Sequence, residues 1–230
     1  MTALDFSLVP LRTGVSLEFK LSPPPISSDE HKLAVCLHPW SWLGGQMNDP
    51  VLCSLMEPLL HARGYHVLRY NSRGVGRSTG WASFTGVSEA ADLEALIAWA
   101  TRTVGDVRSV VVLGYSYGSL IASLQPVLAD IKTSHILISY PLGVRGWLTL
   151  FKSRYEEKLK DLLDDPAANV LVVFGDCDEF TSAARYRTWR SSLEGTNAGK
   201  FQWAEIQGGT HFWRGADGRE LVEMVSQALP

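Results

Sequence analysis

The chain has 230 residues, a length typical of one large domain or two small ones. Apolar residues make up 46% and charged residues 20%, which excludes a wholly disordered or collagen-like chain. The formal net charge of −3 provides neither a general basic surface for nucleic acid nor a polybasic membrane anchor. We therefore expect a single soluble domain over residues 1–230 that binds no nucleic acid.

The cysteines and the N-terminal segment indicate a cellular compartment. Three cysteines are an odd number that does not form a disulfide framework, so we expect reduced thiols at Cys36, Cys53 and Cys177. Residues Met1–Leu21 alternate apolar and polar side chains and lack the apolar core of a signal peptide. No apolar run approaches the ~20 residues of a membrane span. These features predict a cytoplasmic protein.

Short apolar segments predict the strands of a sheet. Phe6–Leu11 and Val15–Leu21 are expected to form a hairpin around Arg12–Gly14, followed by a proline-rich polar connector. The later runs are continuously apolar, which is typical of strands buried on both faces of a parallel sheet. These runs are Leu33–Leu37, His66–Tyr70, Val110–Leu113, Ile136–Ser139 and Val170–Phe174, and a further strand is expected at Phe201–Ile206.

Helical patterns separate these runs. Ser88–Val104 carries an apolar stripe, with Ser88 expected as the N-cap and Gly105 as the stop. An earlier helix is expected between Pro50 and Gly64, with a kink at Pro58. Further helices are predicted at Tyr117–Asp130, Ser153–Asp164, Thr181–Leu193 and Gly218–Leu229. Strands that alternate with helices predict an α/β fold with a mostly parallel sheet and helices on both faces.

The segment Gly114–Gly118 carries the strongest chemical signal. It has the pattern G-x-S-x-G directly between a predicted strand and a predicted helix. The turn strains the serine backbone, and the flanking glycines prevent clashes, so the hydroxyl is exposed at a helix N-terminus. In a chain with 20 glycines the pattern alone can arise by chance, but its position favours Ser116 as a nucleophile.

A serine hydroxyl attacks a carbonyl when a base removes its proton and a carboxylate orients that base. Two downstream strand ends carry such groups in the order serine, acid, histidine. His211 follows the strand that ends at Ile206. The strand that ends at Phe174 is followed by three candidate acids, Asp176, Asp178 and Glu179.

Acyl transfer also needs N–H donors aimed at the developing oxyanion. The backbone N–H of Tyr117, directly after the serine, is one candidate. The turn His38–Gly45 follows a strand at the same edge of the sheet and offers a second. Because Pro39 has no N–H, we expect Trp40 to be the donor.

Taken in order, these motifs resemble those of the α/β-hydrolase superfamily, and most closely a group of small serine hydrolases with almost no cap. The resemblance runs from about Leu33 to about Val225 and rests on five elements: H-P followed by G-G, the loop Leu68–Ser78, G-x-S-x-G, G-D-x-D-E and G-x-x-H-F. The chain departs from the group at Trp40 and Ser72, where a histidine and an aromatic residue are expected.

The resemblance implies a catalytic triad of Ser116 as nucleophile, Asp178 as acid and His211 as base, with an oxyanion hole from Trp40 and Tyr117. Asp178 is favoured over the other two carboxylates also because it lies three residues beyond Gly175, where the strand has turned outward. The many tryptophans indicate an apolar, aromatic pocket, although core packing is the default for at least half of them. The predicted substrate pocket contains His38, Trp42, Trp147 and Trp213.

A short cap is expected over this site. The stretch between Tyr140 and Asn169 must supply a crossover helix, predicted at Ser153–Asp164. About a dozen residues, Pro141–Lys152, then remain. They suffice for a flap over the site but not for an independent helical lid.

Two other site types have less support. Gly74–Gly76 follows a strand like part of a nucleotide-binding loop, but Thr79 stands where G-x-G-x-x-G requires glycine. The sequence has no H-E-x-x-H or C-x-x-C pattern for zinc. We therefore expect neither a metal nor an organic cofactor.

The sequence predicts a serine hydrolase that cleaves a carboxylic ester, thioester or lactone of a small molecule. The same triad can also catalyse acyl transfer, cyclisation or C–C bond cleavage when water is excluded from the pocket. An alternative from another class is a catalytically silent hydrolase scaffold used for binding.

Overall fold

The computed structural model describes residues 4–25, 30–56, 59, 63–83, 85–142, 152–193 and 200–229 of the chain. Within these ranges, eight strands form one sheet in the order β1-β2-β4-β3-β5-β6-β7-β8. β1 and β2 pair as the predicted hairpin, β2 is antiparallel to β4, and the remaining pairs are parallel. The strands are Leu4–Pro10 (β1), Ser16–Ser22 (β2), His31–Leu37 (β3), Tyr65–Tyr70 (β4), Val107–Tyr115 (β5), Lys132–Ile138 (β6), Asn169–Gly175 (β7) and Lys200–Ile206 (β8).

The helices alternate with the parallel strands, as predicted for an α/β fold. They are Pro50–Ser54 (α1), Val87–Val104 (α2), Tyr117–Ala122 (α3), Lys152–Asp164 (α4), Ala183–Leu193 (α5) and Ala216–Ala228 (α6). Successive residues of β5 point to opposite faces of the sheet. Val110 and Val112 belong to the apolar cluster that includes α2 and α4, while Val111 and Leu113 belong to the cluster that includes α1 and α6.

The start of α2 differs from the prediction. The helix begins at Val87, its N-cap is Gly86 in the left-handed region (φ 68°), and no side chain caps it. Ser88 is therefore inside the helix and is not the cap. A Cβ at Gly86 would overlap the hydroxyl of Tyr155, which donates to the carbonyl oxygen of Thr85 at 3.0 Å. The contact between Tyr155 and residues 85–86 therefore favours glycine at position 86, directly before the helix, and the local sequence gives no sign of it.

Two other helices are shorter than predicted. α3 ends at Ala122 rather than at Asp130, because the next N–H groups, those of Leu124 and Gln125, bond to carbonyls three residues back and Pro126 has no N–H to continue the helix. α1 spans Pro50–Ser54, and the kink predicted at Pro58 lies outside the described residues.

Several aromatic side chains on α5, β7, β8 and the segment after β6 form a stacked cluster. The rings of Phe174 and Tyr186 lie 4.0 Å apart, and those of Tyr140 and Trp189 lie 4.9 Å apart. Trp189 also contacts Trp203, at 5.6 Å between ring centroids. Trp189 and Trp203 therefore pack against the hydrophobic core, the role expected for at least half of the eight tryptophans.

The glycine-containing loop after β4 is bound to neighbouring elements. Arg73 forms an ion pair with Asp92 of α2 at 2.8 Å, and this pairing raises the pKa of the arginine. A Cβ at Gly76 would overlap the side chains of Glu18 and Asn71, which are hydrogen-bonded to each other at 2.8 Å. The glycine is thus explained by close packing within the fold.

Candidate active site

Ser116 lies on a sharp turn between β5 and α3. Its backbone has φ 53° and ψ −121°, in a region that residues other than glycine rarely occupy. A Cβ at Gly114 would overlap the carbonyl of Gly118, and a Cβ at Gly118 would overlap the carbonyl oxygen of Leu37. Both glycines are required because the turn is packed backbone against backbone.

Ser116, His211 and Asp178 form one chain of hydrogen bonds. His211 Nε2 lies 3.0 Å from Ser116 Oγ, and His211 Nδ1 lies 2.8 Å from Asp178 Oδ2. All three residues are at most 9% exposed. The structure thus brings His211 into contact with Asp178, 33 positions earlier in the sequence, and with Ser116, 95 positions earlier.

Asp178 is held in the orientation that this contact needs. Its Oδ1 accepts the backbone N–H groups of Phe180 and Thr181, each at 2.8 Å, which leaves Oδ2 for the imidazole. Of the other two candidate acids, Asp176 accepts the N–H of Gly208 at 2.6 Å, and Glu179 accepts the backbone N–H of His211 at 2.7 Å. Of the three candidate acids, Asp178 is therefore the one that contacts the imidazole ring. Asp176 and Glu179 instead bind backbone N–H groups of the loop that carries His211.

The histidine loop has further contacts with the sheet. A Cβ at Gly175 would overlap the backbone of Gly209, whose carbonyl accepts the N–H of Cys177 at 2.9 Å. The Tyr115 hydroxyl donates to the carbonyl oxygen of His211 at 2.8 Å. Burial, together with nearby carboxylates, raises the pKa of Tyr115, so the phenol stays protonated as a donor. These bonds fix the position of the His211 backbone relative to the sheet.

The two candidate oxyanion donors lie on adjoining elements. Tyr117 is the first residue of α3, and this helix packs against the end of β3 at Gly118. Trp40 follows β3, and its carbonyl accepts the N–H groups of Leu43 and Gly45 at 3.0 and 3.1 Å. These bonds close a tight turn, which places Trp40 on the wall of the same cavity as Ser116.

This cavity has a volume of about 570 Å³ and opens at Ser116 and His211. Its walls are largely apolar and include Pro39, Trp40, Leu43, Pro141, Phe180 and Phe212. At its edge, Asp49 caps α1 by accepting the N–H of Val51 at 2.9 Å. Burial raises the pKa of the Asp49 carboxyl. The site thus combines a buried chain of three hydrogen-bonded side chains with a largely apolar cavity.

A family model described as the alpha/beta hydrolase family matches residues 34–224. The chain belongs to the alpha/beta hydrolase family. It is also 30% identical, over 190 residues, to an uncharacterized protein of Rickettsia prowazekii (strain Madrid E); the match covers 82% of this chain and 74% of the relative.

Solved structures of alpha/beta hydrolases have the same fold. An alpha-beta serine hydrolase homologue from Coxiella burnetii has a TM-score of 0.79 and 24% identity, with 100% of this chain and 99% of that chain covered. A serine hydrolase without lid from Xanthomonas campestris has a TM-score of 0.77 and 22% identity, with 99% and 92% covered. The predicted alpha/beta hydrolase fold is confirmed.

His38 does not line the cavity at Ser116 in this alpha/beta hydrolase, in contrast to the prediction. Its Nε2 accepts the backbone N–H of Ser72 at 3.0 Å, so Nδ1 carries the proton and donates to the carbonyl of Pro39 at 2.7 Å. Burial lowers the pKa of His38 to about 4. The neutral imidazole therefore joins the end of β3 to the loop after β4. The hydroxyl of Ser72, one of the two departures from the related group, also lies 3.0 Å from His38 Nε2.

The three predicted pocket tryptophans have different positions. Trp42 is 71% exposed and stacks on Trp40 outside the cavity wall. Trp213 is buried, donates its Nε1–H to Ser139 Oγ at 2.9 Å, and lines a neighbouring groove. Trp147 lies outside the described residues. The actual wall residues Phe180 and Phe212 were missed, although their adjacency to Asp178 and His211 was a usable signal.

No helix in the described part of this hydrolase is long and apolar enough to cross a membrane. Among the same residues, no group of three histidine, cysteine or acidic side chains is placed to hold a metal ion.

Proposed function

We propose that this protein is a serine hydrolase that cleaves a carboxylic ester, thioester or lactone through an acyl-enzyme on Ser116. The observation that carries the proposal is the continuous relay from Asp178 through His211 to Ser116, with contacts of 2.8 and 3.0 Å. This relay meets the apolar cavity at the serine hydroxyl. A proton can therefore leave the serine where a substrate carbonyl would bind.

The acylation step uses each of these groups. As Ser116 Oγ forms a bond to the carbonyl carbon, its proton passes to His211 Nε2 and the carbonyl electron pair moves to oxygen. The oxyanion accepts N–H groups of Tyr117 and Trp40. The Asp178 carboxylate keeps the proton on Nδ1 and stabilises the imidazolium.

The tetrahedral intermediate then collapses. The carbonyl re-forms, the bond to the leaving oxygen or sulfur breaks, and the leaving group takes the proton from His211 Nε2. A water molecule, deprotonated by the same nitrogen, attacks the acyl-enzyme. The carboxylic acid is released and Ser116 recovers its proton.

The rim of the cavity favours hydrolysis over transfer to another acceptor. Leu43 and Phe212 line the cavity, yet they are 71% and 44% exposed. On the side formed by these described residues the cavity is open to water, which supports hydrolysis, whereas acyl transfer, cyclisation or C–C cleavage requires water to be excluded. The apolar walls suit a small substrate with an apolar acyl group.

Covalent labelling together with ester turnover tests this proposal. Wild-type protein should react with a fluorophosphonate probe and hydrolyse p-nitrophenyl esters, while Ser116→Ala should lose the label and several orders of magnitude in kcat. Ser192→Ala, which removes an exposed hydroxyl on α5, is the matched control and should behave as wild type. A folded Ser116→Ala protein with wild-type turnover would disprove the mechanism. A wild-type protein that neither labels nor turns over would support a silent scaffold.

A further inference from the structure

The turn that carries the proposed oxyanion donor Trp40 is closed on itself. The N–H of Gly45 donates to the Trp40 carbonyl at 3.1 Å, and a Cβ at Gly45 would overlap the carbonyl group of Pro39. That Pro39 oxygen accepts the Nδ1–H of His38 at 2.7 Å. The N–H of Trp40 belongs to the same peptide group, which is trans, so it points away from His38. Contacts that fix Gly45 therefore also constrain the direction of this N–H.

The chain leaves this turn through Met47, whose backbone is bound on both sides by side chains from β4 and the residue after it. The N–H of Met47 donates to Asn71 Oδ1 at 2.8 Å, and its carbonyl accepts from Arg69 Nη1 at 3.1 Å. Met47 and Asn71 are 2% and 3% exposed. At the other end of the turn, His38 accepts the N–H of Ser72. The consecutive residues Asn71 and Ser72 thus hold the turn at its two ends.

The side-chain amide of Asn71 is oriented by a buried carboxylate. Its Nδ2 donates to Glu18 Oε2 on β2 at 2.8 Å, which leaves Oδ1 to accept the Met47 N–H. The same Glu18 oxygen accepts the backbone N–H of Arg77 at 2.9 Å. The backbone N–H of Asn71 donates to the carbonyl oxygen of Glu18, also at 2.8 Å. These bonds set the direction of Asn71 Oδ1 from the side opposite to Met47.

We infer that Asn71 is a positioning residue for the oxyanion hole, because it aligns the N–H of Trp40 through Met47 and the closed turn. This inference rests on the proposed function. Without Asn71 Oδ1, the buried Met47 N–H loses its acceptor, and the turn shifts relative to Ser116. A displaced N–H stabilises the oxyanion less, while a substrate still binds in the apolar cavity. The loss therefore falls on the transition state.

A pair of substrates isolates the oxyanion contact from the other steps of the mechanism. In 4-nitrophenyl butyrate the developing charge lies on oxygen, whereas in its thionoester analogue it lies on sulfur, a weak acceptor of hydrogen bonds. The ratio of kcat/KM for the oxygen ester to kcat/KM for the thionoester therefore measures what the N–H donors contribute. Asn71→Ala should lower kcat/KM for the oxygen ester by about 10–100-fold, through kcat and not KM, and for the thionoester by less than about threefold.

Two variants of Glu18 give a second test, which decides the matter if Asn71→Ala does not fold. Glu18→Ala removes the acceptor that orients the amide and should lower the ratio at least about threefold. Glu18→Gln keeps an oxygen to take the place of Oε2 and should restore most of that loss. Asn169→Ala is the matched control, since Asn169 Nδ2 donates to Ser134 Oγ at 3.0 Å near the amino ends of β6 and β7. It should keep the wild-type ratio.

The outcomes separate this inference from the function it rests on. If a folded Asn71→Ala protein lost the same factor with both substrates, Asn71 would have only a general structural role and the inference would be overturned. A Glu18→Gln protein with the same ratio as Glu18→Ala would also overturn it. In both cases Ser116-dependent turnover would still support the hydrolase. A wild-type protein that hydrolyses neither substrate and takes no fluorophosphonate label would overturn both proposals.

Discussion

Glu179 and Asp178, consecutive in the chain, hold the same residue at two points. Glu179 Oε2 accepts the backbone N–H of His211 at 2.7 Å, while Asp178 Oδ2 contacts the imidazole at 2.8 Å. One carboxylate fixes where the histidine backbone lies and the other fixes how its ring is turned. We regard Glu179 as a positioning residue, since it acts through the histidine backbone.

Removing this backbone contact should lower activity without removing the triad. We expect Glu179→Ala to lower kcat by roughly tenfold, because a misplaced base transfers the proton less efficiently. Glu179→Gln keeps an acceptor oxygen and should retain most of the activity. Steady-state kinetics with a full pH profile of kcat/KM checks this pair. Equal losses in both variants would contradict a positioning role, as would no loss in the alanine variant.

The two aspartates near the histidine loop should differ in effect. Asp178→Asn should reduce kcat by about 10³–10⁴, because an amide favours the wrong imidazole tautomer. Asp176→Asn should be much milder, since Asp176 contacts the backbone N–H of Gly208 and not the ring. Ester turnover, with fluorophosphonate labelling as the second readout, ranks the variants. If Asp176→Asn were the more damaging change, the acid would have to be reassigned.

The backbone packing under Ser116 should be sensitive to a single methyl group. In Gly118→Ala the new Cβ would overlap the carbonyl oxygens of Leu37 and His38, so α3 must move away from β3. We expect a loss of about 1–3 kcal/mol in the free energy of unfolding, together with reduced turnover. Gly14→Ala is the control for stability. Its φ is +85° with nothing near the Cβ, so it should cost about 1 kcal/mol and leave kcat unchanged. Urea unfolding of both variants measures the difference, and an unaffected Gly118→Ala protein would refute it.

Two buried histidines should make the fold sensitive to acid. Burial lowers the pKa of both His38 and His135 to about 4, from an ordinary value of 6.5. Between these values the unfolded chain binds more protons than the folded one, so stability is complete above the ordinary pKa and falls as the pH drops towards 4. Each histidine should contribute up to about 1.4 kcal/mol per pH unit.

A variant isolates this effect from the titration of carboxylates. His135 Nε2 donates to the carbonyl of Gln125 at 2.8 Å. In His135→Gln, the side-chain amide is long enough to donate the same hydrogen bond. The variant should lose less stability than wild type between about pH 7 and about pH 4.5 in urea titrations. Parallel pH dependence of the two proteins would show that His135 does not contribute.

The cap predicted from the sequence leads to an expectation about substrate form. The sequence predicts a short flap at residues 141–152, of which 143–151 lie outside the described residues. A lid that opens on a lipid surface would need a larger amphipathic element. Turnover of esters of increasing acyl length should therefore show no jump at the solubility limit. Trp147→Ala should alter the acyl preference more than kcat for the best substrate. Strong interfacial activation, with a preference for long chains, would contradict this.

The sheet and the motif positions could be predicted because they depend on local pattern. The central parallel strands contain continuous apolar runs, and the carboxyl ends of parallel strands meet at one edge, which brings Ser116 near His211. The glycines in the turns at that edge were also a usable signal. Gly118 and Gly175 let neighbouring backbone segments pack closer than any residue with a Cβ would allow.

The pocket residues were harder to predict because their directions depend on distant partners. His38 turns towards Ser72, which is 34 positions away, and the local sequence gives no sign of that contact. The start of α2 is likewise set by Tyr155, from another helix. The end of α3 was predictable in principle, since Pro126 cannot continue a helix, but the apolar spacing favoured a longer one.

The stacked cluster on α5, β7 and β8 gives the protein two optically distinct groups of indoles. Trp189 and Trp203, 5.6 Å apart, do not line the cavity, so their coupled near-ultraviolet dichroism reports on whether this side of the sheet is assembled. Trp40 is on the cavity wall beside the exposed Trp42, and we expect its emission to respond to a molecule that occupies the cavity at Ser116. Stopped-flow fluorescence should therefore follow the proposed acylation and deacylation of the unmodified protein with unlabelled esters, while dichroism of the same sample records its folded fraction.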